Sequence, residues 1–186
     1  DFTWETEHAA KQHFLTMNIK LDHIVGCTLY QSLFWYKDIY AHYMLGFTIK
    51  DPAKNRYDEV ILSIEARRPQ WDNYSLWKGI IPHMYNIIYI RWTPQDLLWL
   101  RKDVRKEPLH NYAMKLSQSQ SQDLFSYLAS KTNTLVHKPL SYHAIRYNCL
   151  TDLHKWLWTI LSHLKHSTIW TVFAKWYINY LIKKDI

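Results

Sequence analysis

A chain of 186 residues, 48% of them hydrophobic, suits one domain with a sizeable core. Its net charge of +7 fits either a solvated basic surface or an anionic partner such as a membrane headgroup layer. No recognised motif supports nucleic acid as that partner. No run of 18 uncharged apolar residues and no basic-then-apolar opening is present, so neither a bilayer span nor a signal peptide is expected. The two cysteines lack Cys-x-x-Cys spacing, which excludes a disulfide framework and a zinc set; no metal or other cofactor is expected.

Residues 1–20 read as an irregular lead. Asp22 to Tyr36 predicts a helix, because Ile24, Val25, Leu29, Leu33 and Phe34 recur near helical spacing. Cys27 within that run reads as a small core residue. Tyr40 to Ile49 alternates as a strand and carries His42. Asp51 to Arg56 is a turn by its Pro and Asn content. Glu59 to Arg67 is a second strand, with Val60, Leu62, Ile64 and Ala66 on one face and Ile61, Ser63, Glu65 and Arg67 on the other. The two strands read as an antiparallel hairpin. Centred near Lys54, it sets His42 across from about residue 66, close to Glu65 or Arg67.

Pro69 to Gly79 reads as a loop and Tyr85 to Ile90 as a third strand. Thr93 as cap and Pro94 at the first position open a helix that runs to about Lys106. Leu109 to Leu116 is a fourth strand. Ser117 to Gln122 is a polar loop and cap before a helix over Asp123–Thr132. Leu150–Lys165 and Ser167–Ile182 are the last helices, the second with Trp170, Phe173, Ala174, Tyr177, Ile178 and Leu181 on one stripe. The expected fold class is α+β in a single domain, its core over about residues 20–165 and the last helix packed on it.

Two residues carry the chemistry. Cys149 stands where a turn opens a helix, and exposed backbone N–H groups with the helix dipole favour a thiolate there. An imidazole at His42 would hold that thiolate and relay its proton. Glu65 is the candidate to orient the imidazole; otherwise it is a surface carboxylate paired with Arg67 or Arg68. N–H groups around Cys149 would stabilise an oxyanion, at roughly 3 kcal/mol per donor. Asn148 and Ser63 are candidates for polar support. His143, six residues before Cys149, is a competing base or a solvent-facing residue. Lys78 is a phosphate contact or a solvated lysine. Arg67 and Arg105 are phosphate contacts or ion-pair partners, with structure favoured for Arg105. The bland alternatives are a buried cysteine for Cys149 and a satisfied core or edge histidine for His42. In an oxidising compartment Cys27 and Cys149 would be able to pair. Trp156, Trp158, Trp170 and Trp176, mixed with Lys155, Lys165, Lys175, Lys183 and Lys184, suit shallow contact with an anionic bilayer or a helical pair packed on the domain.

Several motifs, in order, match a family. They are Phe2-Thr3-Trp4; Phe34-Trp35 with Ile39-Tyr40-Ala41-His42; Leu62-Ser63-Ile64-Glu65-Ala66-Arg67; Leu76-Trp77-Lys78-Gly79; Tyr85 to Ile90; and Tyr142 to Thr151. Over nearly its whole length the chain resembles the Lnb N-terminal periplasmic domain. It departs from that pattern at Leu45-Gly46-Phe47, which lacks a preceding serine, at Leu150, where the family has Thr, and at Asn86, where Glu is expected. The resemblance implies a circularly permuted papain-like (NlpC-type) core, histidine strand first and cysteine helix last. It implies a periplasmic domain facing or attached to a membrane. It further implies a cysteine-dependent acyltransferase. A phospholipid would donate an acyl chain to Cys149 as a thioester, and the α-amine of a lipoprotein's N-terminal cysteine would accept it. The rival readings are a cysteine peptidase or amidase on cell-wall peptides, and a non-catalytic lipid- or lipoprotein-binding module.

Overall fold

In the computed structural model, β1 (Ile24–Phe34), β2 (Tyr40–Asp51), β3 (Arg56–Arg67), β4 (Asn86–Trp92) and β5 (Leu109–Ala113) form one antiparallel sheet in the order β4-β3-β2-β1-β5. The structure describes residues 16–34, 40–53, 55–67, 76–81, 84–144, 146–160 and 174–186. The domain is α+β, as expected.

The largest correction is β1, where the sequence predicts a helix. Ile24, Val25 and Thr28 are β-branched and Tyr30 is aromatic, which favours a pleated strand. Leu29 through Leu33 are all buried, because helices cover both faces of the sheet there. That double burial removes the apolar-polar alternation by which a strand is read.

The hairpin β2–β3 is as expected, with Asp51 paired to Arg56 and Asn55 in the left-handed region at φ 46°. The two strands pair only as far as Met44↔Ser63. Continuing that register sets Glu65, rather than residue 66, opposite His42.

The helices are α1 (Leu76–Ile80), α2 (Pro94–Leu98), α3 (Gln118–His137), α4 (Thr151–Ile160) and α5 (Ala174–Lys183). α1 occupies the end of the expected Pro69–Gly79 loop; residues 68–75 lie outside the described set. Thr93 caps α2 through the Asp96 N–H, and α2 continues as a π-helix over Trp99–Val104. α3 starts five residues before the expected Asp123. Ser117 accepts from the Gln120 N–H and the Gln120 side chain accepts from the Ser117 N–H, a reciprocal cap that converts the polar run into helix. The expected helices over Leu150–Lys165 and Ser167–Ile182 are described only as α4 and α5; residues 161–173, with Trp170 and Phe173, lie outside, as do residues 1–15.

One face of the sheet forms the main core. Leu29, Leu45, Phe47, Leu62 and Ile64 pack with Leu124 and Leu128 of α3, Leu153 and Leu157 of α4, and Tyr177 and Leu181 of α5. Cys27 belongs to this core, as expected, with its thiol against the Met114 sulfur. The other face carries a smaller cluster of Tyr30, Met44, Ile61 and Leu97. Beside it, Gly46 lies under the hydrogen-bonded pair Tyr30–Glu59, and an added Cβ would meet Tyr30 Cε2 at 2.7 Å and the Glu59 carboxylate closer still. No described helix is long and apolar enough to cross a membrane.

Candidate active site

The site begins at the end of β2 and β3. His42 Nε2 lies 2.7 Å from Ser63 Oγ and 3.0 Å from Glu65 Oε1. Ser63 has one hydroxyl proton, and it is donated to Glu65 Oε1 at 2.6 Å. The Ser63 oxygen therefore accepts from His42, so Nε2 carries a proton and Nδ1 is the basic nitrogen. The Cys149 side chain lies near enough to the imidazole to favour its charged form.

Behind Glu65 stands a residue that the sequence reading missed. Arg101, on the π-helix and 4% exposed, donates to Glu65 Oε1 at 3.1 Å and to Glu107 Oε2 at 3.0 Å. Ser32, opposite His42 on β1, donates to Glu107 at 2.5 Å. Ser32, Glu107, Arg101, Glu65, Ser63 and His42 thus form one connected polar chain beneath α2. Arg101 shares its buried stripe with Leu97 and Leu100, at spacings of four and one. A cation on an apolar stripe is the signal that would have found it.

This surrounding sets the charge on His42. Burial alone would discharge the imidazole, and the Arg101 cation works the same way. The Glu65 carboxylate, which accepts from the charged ring, and the neighbouring Cys149 outweigh both, and the pKa is pushed up to about 9. Burial also works against the Glu65 anion, but His42, Arg101 and Ser63 hold its pKa well below the usual carboxylate range. At neutral pH the pair is an imidazolium and a carboxylate.

The thiol is placed by the turn before α4. The Asn148 side chain accepts from the Leu150 N–H at 3.0 Å, while the Asn148 N–H donates to Thr151 Oγ1 at 2.9 Å. This reciprocal cap holds Cys149 one residue into the helical turn. The cap occupies the Leu150 N–H, and the Asn148 carbonyl takes the Thr151 N–H at 3.2 Å. Cys149's own N–H remains as the candidate oxyanion donor. Tyr43 borders the same cavity as Cys149. Cys27 and Cys149 are both free thiols. Beside Cys149, Leu45, Leu62, Ile64, Leu150 and Leu153 line a cavity of about 10 Å³, room for one water-sized group.

Of the sequence candidates, Cys149, His42, Glu65, Ser63 and Asn148 come together. Ser63, expected as weak support, is fully buried at the centre of the network. Arg67 does not join it: its side chain is exposed and it pairs across from Asn86. The His143 ring accepts the Arg146 N–H at 3.3 Å and so closes its own turn. Lys78 lies on α1, half-buried. On the last helices Trp156 faces the core, whereas Trp158 and Trp176 are exposed. Trp170, Lys165 and the Lys175 side chain lie outside the described set.

A family model, the Lnb N-terminal periplasmic domain, matches residues 10–175. The chain belongs to that family. No curated protein and no solved structure matches it. Membership in the Lnb N-terminal periplasmic domain family fits a periplasmic location and a lipoprotein-related role. The missing serine before Leu45 falls at Met44, and Met44 and Leu150 are both buried, so an apolar side chain packs at each. Asn86 bridges to Ser141.

Proposed function

We propose that this Lnb-family domain is a cysteine-dependent acyltransferase with a permuted papain-like arrangement: histidine strand early, cysteine helix late. The observation that carries the reading is a cysteine in a capped helix start whose side chain favours the charged form of an imidazole anchored by a partly buried carboxylate. Cys149, with its proton on His42, attacks the ester carbonyl carbon of a phospholipid. The oxyanion faces the Cys149 N–H. Collapse breaks the ester C–O bond, and the His42 proton passes to the departing alkoxide, which leaves as the lysophospholipid. The α-amine of a lipoprotein's N-terminal cysteine then attacks the thioester. Neutral His42 takes the amine proton, the C–S bond breaks, and the thiolate–imidazolium pair returns with the amide as product. Glu65 holds the imidazole throughout, and Ser63 fixes its tautomer.

Membership in a lipoprotein-related family favours a lipid donor over a peptide. The test is intact-protein mass after incubation with phospholipid vesicles, with Cys149→Ala in parallel. A hydroxylamine-sensitive acyl adduct on the parent alone, then transferred to a free-amine lipopeptide, is the expected result. A folded, reduced protein that forms no adduct but cleaves cell-wall peptides would replace this reading with a peptidase or amidase. If it did neither, a binding module would stand instead.

A further inference from the structure

A cavity of about 10 Å³ beside Cys149 does not hold an acyl chain. A donor lipid must then keep its chains elsewhere while its ester reaches the sulfur. The surface around the thiol suggests where.

Two segments are stitched together there. Ala144 N–H donates to the Gly79 carbonyl, Tyr142 N–H to Tyr85, and Ile87 N–H to Leu140, each at 2.8 Å. Along this seam stand the exposed apolar side chains Ile81, Met84, Leu140 and Tyr147, with Val136 near the end of α3 leading into it. Val136 is 76% and Ile81 52% exposed. Single exposed apolar residues are ordinary, but these are grouped by the backbone. Tyr147, two residues before Cys149, ties this group to the turn that carries the thiol.

The charge of the same surface is one-signed. Residues 76–95 and 124–151 contain no Asp or Glu at all. They supply Lys78, Lys131, Lys138 and Arg146, and Lys155 lies over the Tyr147 ring at 4.2 Å. The nearby Asp152 accepts a hydrogen bond from Tyr89. Apolar side chains among cations, with an aromatic ring at the boundary, complement a bilayer surface that carries anionic lipid.

We infer that the rim built from residues 78–81, 84–87, 136–144 and 146–147 docks this domain on an anionic phospholipid bilayer and presents Cys149 to esters at its surface. The sequence reads the last helices either as a bilayer contact or as a pair packed on the domain, and the exposed Trp176 and Ile182 of α5 are not among the residues of this rim. The inference rests on the acyl-transfer reading for its purpose, but its test does not. Binding is measured with Cys149→Ala, in which no chemistry occurs, so a failure of docking and a failure of acyl transfer are read separately.

The experiment is cosedimentation of the full chain carrying Cys149→Ala with vesicles of equal phosphatidylglycerol and phosphatidylcholine, against phosphatidylcholine alone. Binding to the anionic vesicles, weakened by salt, is expected. Each cation lost near the surface should weaken binding about fivefold. Lys138→Glu with Arg146→Glu should therefore weaken it by at least about 25-fold, and Trp176→Ser with Ile182→Ser should leave it unchanged. As a second readout, a polarity-sensitive label on Val136→Cys in the same background should shift blue on anionic vesicles; Cys27 is buried and escapes labelling. No binding to anionic vesicles, rim variants that bind like the parent, loss through the Trp176 and Ile182 changes, or a label that does not shift would overturn the inference.

Discussion

Arg101→Met tests the polar chain beneath α2 most directly. The guanidinium is 4% exposed and bridges Glu65 and Glu107, at 3.1 and 3.0 Å. Methionine keeps much of the length and removes the charge. Glu107 is then left partly buried with only Ser32 among these partners, and Glu65 keeps His42 and Ser63. Removing one partner of a buried ion pair costs about 3–5 kcal/mol, because the other charge stays in a poor solvent. For a chain of this size that lowers the melting temperature by roughly 10 °C. The substitution also has an electrostatic signature that simple loss of packing lacks. Arg101 opposes the charge on His42, so its removal should move the His42 titration upward from about 9. The assays are urea unfolding at pH 7 and NMR titration of the His42 ring. Adding Glu107→Gln should recover part of the lost stability, since it removes the stranded carboxylate. A stability loss under about 1 kcal/mol together with an unmoved His42 titration would refute the reasoning.

Three other outcomes are expected. His42 has a folded pKa above its unfolded value, so its contribution is full below about pH 6.5 and is lost as pH rises through about 9. That contribution is on the order of 3 kcal/mol, and urea midpoints at pH 6 and 9.5 should fall further for the parent than for His42→Asn; parallel falls would contradict it. Gly46→Ala should cost about 1–3 kcal/mol, because the new methyl meets Tyr30 and the Glu59 carboxylate, and an unchanged melting temperature would show that the pair moves aside freely. Asn148→Ala should cost about 1 kcal/mol and slow acyl-adduct formation by loosening Cys149, whereas Asn148→Asp, which keeps the cap, should restore both.

The parts of the site legible in the sequence are those held by local rules. Cys149 follows from a cap and a helix start, and the turn at Asp51–Arg56 brings Glu65 to His42 with an error of one residue in register. The run Ser117–Gln122 reads as a loop and cap, and the cap proves to sit at its first residue, so the rest of the run is helix. Arg101 was not legible as a partner, because nothing local ties a residue on the helix after β4 to a carboxylate on β3. β1 was misread because burial on both faces leaves no alternation to detect. The apolar rim escaped for a related reason. Its members come from two segments whose adjacency depends on hydrogen bonds between Gly79, Tyr85 and Ile87 and residues 140–144.

The order of these pieces along the chain bears on how the site comes into being during synthesis. Ser32, His42, Ser63, Glu65, Arg101 and Glu107 all precede residue 108, and the sheet face they occupy is closed by α2. Cys149 follows His42 by more than a hundred residues and rides on a helix that covers the opposite face of the sheet. As the nascent chain lengthens, the charged scaffold has all its members before the sulfur leaves the ribosome. Only docking of α4 then brings Cys149 to this scaffold, so the proposed dyad is completed as a late step of folding.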